Sequence, residues 1–195
     1  MVFESNPGFV FHDSRGFEAG GKDEFDKVKA FITDRSTQAK IAKRLHVIWF
    51  CIPMDEACRS FTAGEEKFFT ECDTASIPVI VLFTKFDALY GVEFRKLMNT
   101  GTSRKDAKLQ APKCAEETFT DGPQLQFLKN VRWPPKCHLR YTMIIVPSDM
   151  NKDDADCGAL IEQTAAALDD EALQQLFVST QQTNLEICMK YAIQR

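Results

Sequence analysis

Two segments of the chain are almost continuously apolar and rich in β-branched and aromatic residues: Leu45–Ile52 and Ile77–Phe83. Strands covered by helices on both faces look like this, because neither side meets water. A third run, Tyr141–Val146, and a shorter one, Phe9–His12, bring the expected strands to four. From Lys22 to about Arg44 the apolar residues Phe25, Val28, Phe31, Ile32, Ala39 and Ile41 recur near the helical period among Lys and Asp. Phe61, Phe68, Phe69 and Cys72 mark a second amphipathic helix, with Glu65, Glu66 and Lys67 on its wet face. Helical turns are expected over Val92–Leu97 and Gln124–Val131, and the polar stretch Asn99–Asp121 between them reads as an irregular loop. Residues 155–168 and 171–193 close the chain as helices, with Asp169-Asp170-Glu171 supplying the cap and first-turn acids of the last one.

Strand and helix alternate from end to end. That alternation predicts an α/β three-layer sandwich, a mainly parallel sheet flanked by helices with right-handed crossovers. Ligands in such folds bind at the carboxyl ends of the strands.

Composition narrows the classes. With 195 residues, 44% hydrophobic and 27% charged, and only 9 Gly and 8 Pro, the chain is expected to fold as one globular domain, residues 1–195. The net charge is −4 and no Lys/Arg block stands out, so neither nucleic acid nor an anionic membrane is an expected partner. The apolar runs are far shorter than the roughly 18 residues of a membrane span, and no basic segment followed by an apolar stretch opens the chain, which predicts a cytoplasmic protein. Seven cysteines without a CxxC pair read as reduced, buried thiols and not as a disulfide or zinc framework. His46 inside an apolar strand reads as a core or edge histidine. Cys137-His138 lacks a second ligand pair for a metal. Trp133-Pro134-Pro135 reads more simply as loop packing than as an aromatic patch for a partner.

Each expected strand end carries a polar motif. His12-Asp13-Ser14-Arg15-Gly16-Phe17-Glu18 contains Asp-x-x-Gly, Thr84-Lys85-Phe86-Asp87 is a Thr-Lys-x-Asp, and Pro147-Ser148-Asp149 follows the last strand. Asp-x-x-Gly alone is a common turn; the ordered set is far more specific. In these residues the chain resembles the guanine-nucleotide-binding domains of small GTPase type. More narrowly it resembles fungal G-domain-containing proteins, in which a His-Asp-Ser-Arg-Gly-Phe-Glu strand end precedes Val-Ile-Trp-Phe-Cys-Ile and Val-Leu-Phe-Thr-Lys-Phe-Asp-Ala-Leu strands.

The resemblance implies a small-GTPase-like, Rossmann-like G domain that binds a purine nucleotide. Asp87 would accept two hydrogen bonds from the N1–H and exocyclic amine of guanine. Lys85 would lay its methylene stem along the purine face, with Thr84 and Ser148 completing the nucleotide-binding set. Asp13 would help hold Mg²⁺ through water, and the Gly16 amide would reach the terminal phosphate. Phe17 stands where the best-known members carry a glutamine, so hydrolysis would call on Asp13, Arg15, Glu18 or His12.

One part of the family pattern is missing. The chain contains no G-x-x-x-x-G-K-[ST], its only Gly-Lys being Gly21-Lys22. The expectation is an incomplete G domain without its P-loop quarter and without the central strand that precedes that loop. Three arrangements answer the loss: the Phe9–His12 and Leu45–Ile52 strands pair directly, residues 1–7 fill in, or a second copy of the chain supplies the edge; direct pairing with a partly exposed edge, which invites a homodimer, is the expected one. Function divides into two readings. One is a nucleotide-binding protein, for GTP or ATP, that hydrolyses triphosphate without a P-loop. The other is a pseudo-GTPase acting as an interaction module, in which Asp13 and Asp87 cap the helices that follow them. In a third, the chain is a piece of a longer protein.

Overall fold

The computed structural model describes residues 10–14, 22–55, 61–74, 76–142 and 158–169, together with 171, 173, 174 and 177. Within these the chain is α/β, a three-stranded parallel sheet flanked by helices. The elements in chain order are α1 (Lys22–Ser36), a 3-10 turn (Ile41–Lys43), β1 (Ile48–Pro53), α2 (Ala63–Glu71), β2 (Val79–Thr84), α3 (Ala88–Asn99), α4 (Arg104–Thr120), α5 (Pro123–Asn130), β3 (Cys137–Arg140) and α6 (Gly158–Ala167). The chain divides into two compact units: residues 49–72 and 79–155 form one, and residues 1–48, 73–78 and 156–195 the other.

The sheet runs β1-β2-β3, with β2 in the middle. The Ile48 amide donates to Pro78 O at 2.9 Å and the Met54 amide to Thr84 O at 2.8 Å, so β1 and β2 advance in step. Ile80 lies opposite Cys137 and Phe83 opposite Arg140 in the parallel β2/β3 pair. Every residue of Val79–Phe83 is buried, as its unbroken apolar run predicts. The third run begins earlier than expected. The ladder occupies Cys137–Arg140 and continues as the Tyr141 amide donates to Phe83 O at 2.8 Å; residues 143–146 lie outside the described ones. Only Cys137 and Leu139 alternate inward there, a pattern too short to read as a strand.

Phenylalanines fill the space between sheet and helices. α2 sets Phe68 and Phe69 against Phe50 of β1, with ring centroids 4.5 and 5.0 Å apart. Its start is a capping box: the Thr62 hydroxyl accepts from the Glu65 amide at 3.3 Å, and the Glu65 carboxylate accepts from the Thr62 amide at 2.7 Å. From α4, Phe119 meets Phe83 edge-on at 4.7 Å.

Helix α4 overturns the irregular loop expected over Asn99–Asp121. Its apolar stripe is narrow and made of small side chains: Ala107, Ala111, Ala115 and Phe119, four residues apart, all buried. The connection is a short helix-to-helix turn. Gly101, with φ +87°, ends α3 as its amide donates to Met98 O and that of Thr102 to Leu97 O, both at 3.1 Å. Ser103 then caps α4 by accepting from the Asp106 amide at 3.2 Å. Pro112 forfeits one hydrogen bond within this 17-residue helix.

In the other unit, α1 stops at Ser36, well short of the Arg44 expected, and side chains there bond back to the backbone. The Ser36 and Thr37 hydroxyls donate to Thr33 O at 2.9 and 3.3 Å, and the Leu45 amide donates to Arg35 O at 3.4 Å. Residues 10–14, expected in part as a strand, are irregular: Val10 is 59% exposed, and the His12 ring packs on Phe31 of α1 at 5.0 Å. Phe9 lies outside the described residues, and residues 10–12 are not part of a regular strand. α6 gathers Ala165, Leu168 and Phe177 into a buried cluster with Ile161 and Leu173 against it. Cys72 is buried as expected, whereas Cys51 is exposed.

His46 is half-buried, and its Nε2 has no hydrogen-bond partner among the described residues. Burial holds its pKa below the ordinary 6.5, the Arg44 charge adds to this, and a hydrogen bond with the Ile41 backbone opposes it.

Two outcomes follow from this packing. Ala111→Leu is expected to destabilise the fold by about 1–3 kcal/mol in urea melts, because α4 has no room for a larger stripe. As pH falls from about 7.5 to about 5.5 the unfolded chain takes a proton at His46 before the folded one does, so stability present above the unfolded pKa is lost. Thermal melts across that window are expected to show a smaller decline for His46→Phe than for the parent.

Candidate functional site

Strand β2 ends at Thr84, and the next three residues turn the chain into α3. Thr84 is half-buried, and its carbonyl takes the Met54 amide. Lys85 has φ +54°, the left-handed region, and is the one non-glycine residue with positive φ among the described residues. Phe86 is 1% exposed and anchors the turn. Its ring meets Phe119 at 5.0 Å, the Arg140 guanidinium lies 5.6 Å over it, and its amide donates to Tyr141 O at 2.8 Å. The burial of Phe86 and its bond to Tyr141 hold Lys85 in a backbone conformation that a lysine disfavours.

Asp87 is half-buried at the N-cap of α3, as expected for its position. Its backbone is already helical, φ −61° and ψ −18°, and its side chain makes no capping hydrogen bond. The expectation that Asp87 caps the helix is thus met in place and not in bonding. A carboxylate at a helix start also faces the positive end of the helix dipole.

Two neighbours of this turn were not singled out from the sequence. Asp55, two residues past β1, pairs with the Lys85 ammonium; the two side chains are 43% and 41% exposed. Asp55 follows an apolar strand just as Asp87 does, and that position was the signal available. Tyr90, on the first turn of α3, lies close to Asp87 and Glu116. Burial foremost, then these two carboxylates, push its hydroxyl above the ordinary 10, with Arg140 opposing.

The structure thus brings Thr84, Lys85 and Asp87 together at the carboxyl end of the middle strand, beside Asp55. Asp13 is exposed in irregular chain and belongs to the other compact unit. Arg15, Gly16, Glu18 and Ser148 lie outside the described residues. No group of three or more His, Cys, Asp or Glu among the described residues is arranged to hold a metal ion.

Lys85→Gly and Lys85→Ala both remove the pair with Asp55, so comparing the two isolates the backbone. Lys85→Gly is expected to be more stable than Lys85→Ala by about 1 kcal/mol in chemical denaturation, because glycine adopts positive φ at no steric cost.

Comparison with family models, curated proteins and solved structures found no match to this chain.

Proposed function

We propose that this chain binds a purine nucleotide through a GTPase-like architecture without a P-loop, and that the Thr84–Asp87 turn is where the base is recognised. The supporting observation is the left-handed Lys85 at the carboxyl end of the buried middle strand, two residues ahead of Asp87 at the start of α3. Strained backbone held by its surroundings is a common property of ligand sites, and this end of a parallel sheet is where α/β proteins bind ligands.

The roles follow from the side-chain chemistry. The Asp87 carboxylate accepts from the N1–H and exocyclic amine of guanine, a donor pair that adenine does not offer. Asp55 holds the ammonium of Lys85, which leaves the methylene stem to lie along the purine face. The chain has no Gly-rich loop with its lysine to cradle the phosphates, and its net charge is −4, so base recognition carries most of the affinity and binding is weak for a G domain. Hydrolysis is a further step, for which the family resemblance nominates Asp13, Arg15 and Glu18.

One observation favours a second reading, the pseudo-GTPase interaction module. Asp55 already pairs with Lys85, so the lysine needs no ligand to balance its charge.

The two readings separate in one set of measurements: equilibrium binding and phosphate release with GTP, GDP, ATP and ADP, with and without Mg²⁺. Guanine nucleotides are expected to bind, and Asp87→Ala to weaken them about tenfold or more, the worth of a charge-assisted hydrogen-bond pair. Absence of binding by all four nucleotides refutes the proposal in favour of the module. Equal binding of ATP and GTP, unchanged by Asp87→Ala, places any nucleotide site elsewhere.

A further inference from the structure

At the opposite end of the same sheet, where β2 and β3 begin, α5 and the start of β3 enclose an open cleft of about 330 Å³. Its end of the sheet is set by the Lys136 amide, which donates to Val79 O at 2.8 Å. The length of β2 puts this cleft roughly 16 Å from the Thr84–Asp87 turn. The volume is at the low end of the about 300–1,000 Å³ of small-molecule sites.

The lining has two characters. Leu125 and Leu128 of α5, both buried, and Pro135 form an apolar floor. Lys129, Lys136, Cys137 and His138 also line the cleft, and no acidic residue does. Leu125, Leu128 and Lys129 stand three and four residues apart, on one face of α5.

We propose that this cleft binds a small amphiphilic organic anion, a carboxylate or phosphate monoester with an apolar body, the body resting on Leu125, Leu128 and Pro135 and the anionic group facing Lys129 and His138. The field in the cleft is positive. Burial first, then the Arg140 and Lys129 charges, lower the pKa of His138, whose ring also meets Phe83 at 6.0 Å. An anion seated there offsets both charges and raises that pKa.

Titration of the full chain by NMR, following the Cys137–His138 amides and the His138 ring, tests this with phenyl phosphate, benzoate, neutral benzamide and inorganic phosphate. Phenyl phosphate, benzoate or both are expected to give saturable shifts and to raise the His138 pKa. Which of them binds more tightly tells the phosphate ester from the carboxylate. Benzamide is expected to bind about tenfold more weakly for want of the charge, and inorganic phosphate more weakly for want of the apolar body. Lys129→Glu, at an exposed position of α5, is expected to abolish the shifts, and Lys129→Arg to retain them. Absence of saturation by both organic anions in the millimolar range overturns the proposal. So does benzamide or inorganic phosphate binding as tightly as the anions, or Lys129→Glu binding as the parent does. Nucleotide binding at the Asp87 turn is expected to be unchanged in Lys129→Glu, so failure of either site is read independently of the other.

Discussion

Strand β2 runs through its unit with Ile80, Val81 and Phe83 fully shielded from solvent, and a strand so placed has no water to satisfy its backbone. Both of its edges have to be hydrogen-bonded and both of its faces covered. β1 and β3 meet the first demand, while phenylalanines from the sheet and from helices α2 and α4 meet the second. The carboxyl end is where this enclosure stops: Phe83 is fully buried, Thr84 half-buried, and Lys85 and Asp87 reach water. The candidate site lies at that transition, and its side chains are polar because the chain there leaves the core.

Lys85 and Asp55 illustrate how little an ion pair at such a place contributes to stability. Both groups are more than two-fifths exposed, and pairs of that kind contribute about 0–1 kcal/mol. The pair's effect is directional: it ties two adjacent strand ends together and fixes where the lysine stem lies. Burial of Phe86 holds the turn's backbone, and charge settles the side chains on top of it.

Legibility in the sequence followed the strength of each signal. β2, α3 and α5 were readable because their apolar residues recur at the period of their element with little competition. β3 was missed by four residues, since a strand with His138 and Arg140 exposed shows only two inward positions. α4 was misread because alanine carries little weight in an apolar pattern, although its boundary signals, Gly101 and Ser103, are both present in the sequence. The Thr-Lys-x-Asp element was found from its place after an apolar strand, and the same criterion would have found Asp55. Tyr90 and the cleft had no such signal, because Glu116 reaches Tyr90, and α5 reaches the run 134–138, only in the folded chain.

The register of β3 bears on how the sheet is assembled in time. Ile80 and Cys137 are partners although 57 positions separate them, and α3, α4 and α5 fill that interval. Closing so long a segment costs chain entropy before the strand pairing returns any free energy, so local helix contacts form ahead of it. The packing of α3 along α4 shortens the effective span by folding the interval on itself. During synthesis β2 therefore stands with one edge unpaired until residue 140 has left the ribosome, and for that time the free N–H and C=O groups of that edge are open to wrong pairing.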